Sequence, residues 1–187
     1  MKLTRSLLAV PLLAFASDVW QPLKVDKTVA IQLPTTAEEV NFYSWLSPAE
    51  LRKLPPARRI RMWVARTPQS LCAIMRIPNP DKQRVNKQDS PQRRAFYERV
   101  EHNSIAEAHG QLLTHTTFSV AGLTGIEFMY RAPNTYSNQQ DLFYTRSLVL
   151  DSICYSLIFR PTSPSTNLGR ASTDQRLRFF NSLTVKP

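Results

Sequence analysis

Between residues 111 and 160 the chain holds four runs of strand character, and the connections inside each pair are too short to contain a helix. Residues 111–120 and 124–131 are separated by Ala121-Gly122-Leu123, and 142–150 is followed almost at once by 152–160. In the last run Ile153, Tyr155, Leu157 and Phe159 recur at period two, the mark of a strand with one buried face. Upstream, 59–66 and 70–77 form a similar pair across Thr67-Pro68-Gln69. Parallel neighbours need a crossover of a dozen or more residues, so these spacings predict an antiparallel sheet rather than a βαβ series. One more half-buried strand is expected at 27–34, where Val29, Ile31 and Leu33 share a side and Pro34 ends the run.

Helices have to cover such a sheet. Ser47-Pro48-Ala49-Glu50 has the layout of a capping box with proline at the first helical position, and Pro55-Pro56 stops that helix early. The longest helical stretch is 92–109, with Phe96, Val100, Ile105 and Ala108 on one stripe and Gly110 at the expected left-handed cap. A second capping box, Ser172 to Gln175, opens a final helix that buries Leu177, Phe180 and Leu183. The fold class expected is α+β, a three-layer α/β/α sandwich around a mainly antiparallel sheet of about six to seven strands.

The amino terminus reads as an address. In residues 1–16, MKLTRSLLAVPLLAFA, a basic start at Lys2 and Arg5 precedes a short apolar run and the small-x-small sequence Ala14-Phe15-Ala16. That is the layout of a secretory signal peptide. The apolar run is about half the length a spanning helix needs. The expected organisation is therefore a signal peptide at 1–16, a linker at 17–26 and a single domain at 27–187, secreted or periplasmic, with no transmembrane segment after cleavage. An oxidising compartment permits a bridge between Cys72 and Cys154, and two buried free thiols are the other reading.

The second half of the chain resembles the PsbP/Mog-like superfamily. The resemblance is carried by HGQLL at 109–113 after a helix, VAGLTGIEFMYR at 120–131 as a strand with a glycine bend, and RLRFFNSLTV at 176–185 as a closing helix and strand. KTVAIQLP at 27–34 extends it to the first half. The resemblance implies an α/β/α sandwich and a noncatalytic binding or assembly role; the superfamily includes photosystem II extrinsic proteins, a Ran-binding nuclear factor and exported bacterial proteins. It transfers no functional residue to this chain.

Residue chemistry adds one signal. Lys and Arg number 24 against 14 Asp and Glu, a formal charge of +10. Arg58, Arg59, Arg61 and Arg66 crowd one strand and its approach, and Arg93 and Arg94 open the long helix. Arg59, Arg61 and Trp63 fall on one side at strand spacing, a guanidinium pair beside an aromatic that suits a phosphate, a carboxylate or an anionic polymer. The competing explanation is a basic, soluble surface. Export and the lack of a recognition motif argue against nucleic acid.

Other constellations are weaker. Glu98, Glu101 and His102 share a helical face, but His109 lies about 10 Å further along the axis and His115 falls in a strand with no helical partner, so no metal site is expected. Four glycines in the whole chain leave no room for a phosphate-cradling loop, and no cofactor is expected. No nucleophile elbow is present, and neither cysteine has a histidine close in sequence. Tyr130, Tyr136, Tyr144, Tyr155, Trp45 and Trp63 are many amphipathic aromatics for one domain; core packing accounts for most, with Tyr136 the best candidate for exposure. The expected function is a noncatalytic exported binding or assembly module with an unknown protein or anionic ligand in the cell envelope. The alternatives are an anion binder using the arginine strand and, more remotely, a hydrolase with an unrecognised site.

Overall fold

The structure, a computed structural model, describes residues 19–44, 46–78, 85, 90–134, 137, 139–162 and 169–186. The expected signal peptide, Trp45 and Tyr136 lie outside the described residues. The protein is α+β and mainly antiparallel, with two sheets. The elements in order are β1 (Gln21–Lys24), β2 (Val29–Leu33), β3 (Glu38–Val40), α1 (Pro48–Lys53), a 3₁₀ turn (Pro56–Arg58), β4 (Arg61–Arg66), β5 (Ser70–Pro78), α2 (Ser90–Glu107), β6 (Gln111–Val120), β7 (Leu123–Pro133), β8 (Gln140–Leu150), β9 (Ile153–Pro161), α3 (Arg170–Asn181) and β10 (Thr184–Val185). Seven strands form the large sheet in the order β3-β4-β5-β9-β8-β7-β6, and β1-β2-β10 form a small one.

The long strands follow the sequence expectation because each hairpin closes on residues that tolerate its turn. Between β6 and β7, Ala121 and Gly122 both have positive φ, 49° and 76°. That is the two-residue turn whose twist matches paired strands. Between β8 and β9 the left-handed residue is Asp151, φ 54°. β9 is buried over most of its length, and β5 through its first half, because both faces of the sheet are covered there. On one face Trp63, Ile74, Tyr144, Leu148, Leu157 and Phe159 pack with Val29, Ile31 and Leu33 of β2 and with Phe179, Phe180 and Leu183. On the other, Phe128, Tyr130, Val149 and Cys154 pack with Phe96 and Tyr97 of α2.

Several expectations need correction. Of the linker expected at 17–26, the described residues 19–26 are part of the fold: Trp20 and Val25 are buried, and between them β1 pairs antiparallel with β2. Its apolar residues are interrupted by Pro22, so no alternation announces the strand. The 27–34 run belongs to the small sheet rather than the large one, so a sheet as well as α3 covers that face.

The α1 capping box is present: Ser47 Oγ accepts from the Glu50 amide at 3.3 Å, and Glu50 Oε2 accepts from the Ser47 amide at 2.9 Å. At the end of α2 the left-handed residue is His109, φ 50°, one place before the glycine. The Gly110 amide bonds Ile105 O at 2.8 Å and the His109 amide bonds Ala106 O at 3.0 Å, a Schellman ending. Gly110 is required for a different reason: a Cβ there would lie 2.6 Å from the Arg131 carbonyl oxygen on β7. The second capping box does not form. α3 starts earlier, after Gly169, and Gln175 Oε1 instead accepts from Ser70 Oγ at 2.8 Å.

The two cysteines are free and buried, which corrects the bridged reading. Cys72 sits opposite Phe159 and Cys154 opposite Ile77 in the β5–β9 ladder. Five residues of strand separate them, about 17 Å, whereas a disulfide needs Cα atoms within about 7 Å. They also face opposite sides of the sheet, in different cores. Burial pushes the Cys72 thiol up to about 12 and the Cys154 thiol up to about 11. Among the described residues no helix is long and apolar enough to cross a membrane.

Candidate functional site

The arginine strand does reach a cleft. Where the small sheet stops covering the large one, a cavity of about 680 Å³ opens between the β1–β2 turn, the β3-to-α1 segment and the ends of β4 and β5. Val40, Phe42, Leu51, Pro56 and Ile60 supply its apolar wall, and Asp26, Glu39, Arg59, Arg61 and Arg76 its charges. Val40 and Phe42 are each 38% exposed, two of the five exposed large apolar side chains among the described residues and the two that line this cleft.

The three guanidinium groups are held in three different ways. Arg59 closes the end of α1: its Nη2 donates to Leu51 O at 2.8 Å and its Nε to Leu54 O at 3.0 Å. Leu51 O also accepts the Leu54 amide at 3.3 Å, and a cation suits the negative end of a helix. Arg61 makes a two-pronged pair with Glu39, Nε to Oε1 and Nη2 to Oε2, both at 2.8 Å. The guanidinium lies 4.5 Å above the centre of the Trp63 ring. Hydrogen bonding to Arg61 holds the Glu39 carboxyl below its usual range and raises Arg61 in turn. Trp63 is buried and forms the floor under Arg61 rather than a wall of the cleft.

Arg76, directly opposite Arg61 in the β4–β5 ladder, was missing from the sequence reading. Two like charges face to face cost stability unless each is balanced. Glu39 balances one, and Asp26 the other, with Arg76 Nε 3.3 Å from Asp26 Oδ2. Asp26 Oδ1 also accepts from the Thr28 and Val29 amides at 2.9 and 3.0 Å and from Thr28 Oγ1 at 2.9 Å, and Oδ2 accepts from Tyr155 Oη at 2.5 Å. Burial alone would raise the Asp26 carboxyl, but the hydrogen bonds from Tyr155, Thr28 and Val29 outweigh it and hold the group at about 2. Tyr155 is driven the other way, to about 12, by burial and by its bond to Asp26. A signal for Arg76 existed: Cys72, Ile74 and Arg76 alternate, so an arginine continues an apolar face. For Asp26 the signal was the Asp-Lys-Thr turn before β2, whose aspartate ties down the amides that follow.

The remaining candidates lie elsewhere. Arg93 and Arg94 line a second cavity of about 490 Å³ between α2 and the β6–β7 hairpin, with Tyr97, Glu98 and His115. His115, expected to lack a helical partner, has one: its Nδ1 is 3.2 Å from Oε2 of Glu101, which is buried. Among the described residues no three His, Cys, Asp or Glu side chains come together as a metal site. Tyr130, Tyr144 and Tyr155 are buried, as core packing requires.

No family model matches the chain, and no curated protein is significantly similar to it. Solved structures do match. A Pseudomonas aeruginosa protein of unknown function, PA94, aligns with a TM-score of 0.45 and 11% identity over 90% of this chain and 98% of its own. Cyanobacterial PsbP (CyanoP) from Synechocystis sp. PCC 6803 aligns with a TM-score of 0.50 and 13% identity over 92% of this chain and 96% of its own. At such identities the likeness speaks for architecture and not for activity. The chain has a PsbP-like fold.

Proposed function

We propose that the chain is a noncatalytic binding module of the cell envelope, and that the cleft beside β4 holds a small ligand with an apolar body and one anionic group. The reading includes export by the 1–16 segment and a three-layer arrangement in which α2 is one outer layer and α3 with the small sheet is the other. The observation that carries it is the cleft's composition. Exposed Phe42 and Val40 face three guanidinium groups balanced by only two carboxylates, so an incoming anion meets one surplus positive charge beside an apolar wall. Arg59 and Arg61 already spend donors on the protein itself, which favours one small anion over a long polymer laid along the strand.

Fluorescence titration with anilinonaphthalene sulfonate, an aromatic body carrying one sulfonate, tests this. Saturable binding is expected, weakened about tenfold or more in Phe42→Asp, which removes apolar contact and adds a like charge. Binding that is absent, or unchanged in a Phe42→Asp variant with the same melting temperature, would remove the cleft from consideration.

A further inference from the structure

We propose that two copies of this chain pair edge to edge through β6, joining their large sheets across a twofold axis at Thr117. The four outer strands of the two sheets are very unequal. β3 is three residues long and carries Glu38 and Glu39, β1 has four residues including Pro22, and β10 has two. Short length, charge and proline are the usual means of keeping a sheet edge from pairing. β6 is ten residues long, exposed along most of its length, and pairs only with β7 among the described residues. Its sequence, QLLTHTTFSV, has no Lys, Arg, Asp, Glu or Pro. In a chain of formal charge +10 this is a neutral strip, along which two copies can meet without opposing like charges.

The geometry selects the register. The β6–β7 turn has two residues, so Val120 and Leu123 beside it exchange their own hydrogen bonds. The backbone groups of Ser119, Thr117 and His115 therefore point away from β7. A bulge between Leu112 and Thr114 bends the strand at its start, leaving 114–120 as the straight stretch. The centre of that stretch is Thr117. A twofold axis there sets Thr117 against its own copy, His115 against Ser119 and Thr114 against Val120, and joins the outward backbone groups of all three residues. Because the opposite edge is short and acidic, the pairing closes at two copies rather than running on into a fibre.

Analytical ultracentrifugation across a dilution series tests the proposal. The expected result is a reversible dimer, with Thr117→Lys and Thr117→Pro monomeric and Thr117→Ala still dimeric. Lysine sets two positive charges face to face, and proline removes an outward N–H that β7 does not use. Circular dichroism and melting of each variant show whether it remains folded; should Thr117→Pro unfold, Thr117→Lys decides alone. A wild-type protein that stays monomeric throughout, or a dimer that survives Thr117→Lys, overturns the proposal.

Discussion

Asp26 illustrates how much one carboxylate can join. It accepts from the two amides that open β2, from Tyr155 on β9 and from Arg76 on β5, so it ties the small sheet to the large one. Its folded value of about 2 lies below the ordinary aspartate value of 3.8, so the stabilisation is present above pH 4 and is lost as the pH falls through about 2. After allowance for its solvent contact, the shift corresponds to about 1 kcal/mol. Asp26→Asn is expected to lower urea-unfolding stability by about that amount at neutral pH, with the gap to wild type narrowing between pH 4 and pH 2. A gap that is constant across this range would mean that the charge contributes nothing. Neither of Asp26's long-range pairings was legible in the sequence, because Arg76 and Tyr155 lie 50 and 129 residues away and only the sheet register brings them to it.

At the scale of elements, legibility followed length. β5 through β9 and α2 were placed from alternation, helical stripe and turn residues, each within a few positions of its observed ends. β1 and β3 were not: four and three residues are too few to show a period. The misplaced start of α3 has a chemical cause, since Gln175 is engaged by Ser70 on β5 and cannot reach back to a cap. Arg59 shows the same limit at the candidate site. The strand expected at 59–66 begins only at Arg61, so Arg59 precedes it, and its bonds to the Leu51 and Leu54 carbonyls depend on where α1 ends. The β6–β7 turn offers an element-level test. Ala121 pays for its left-handed φ of 49°, where asparagine is better tolerated. Ala121→Asn should raise the melting temperature by about 2 °C, and an unchanged or lower value would mean that strain at the turn is already relieved.

For the whole molecule, the sheet class was readable from connection lengths, whereas the division into two sheets was not. β2 looks the same from sequence whether it joins the large sheet or lies across it; only its pairing with β1 and β10 decides. Compartment is a separate matter. The export reading predicts that protein recovered from the envelope begins at Ser17, by amino-terminal sequencing; recovery with Met1 intact from a cytoplasmic fraction would end it.

The unbridged cysteines give this architecture a built-in pair of reporters. One sulfur is sealed beneath the small sheet and α3, the other beneath α2, with a full sheet thickness between them. An event that peels away only one covering would bare only one sulfur to a thiol reagent, so the order in which the two react distinguishes partial detachment on either side from global unfolding.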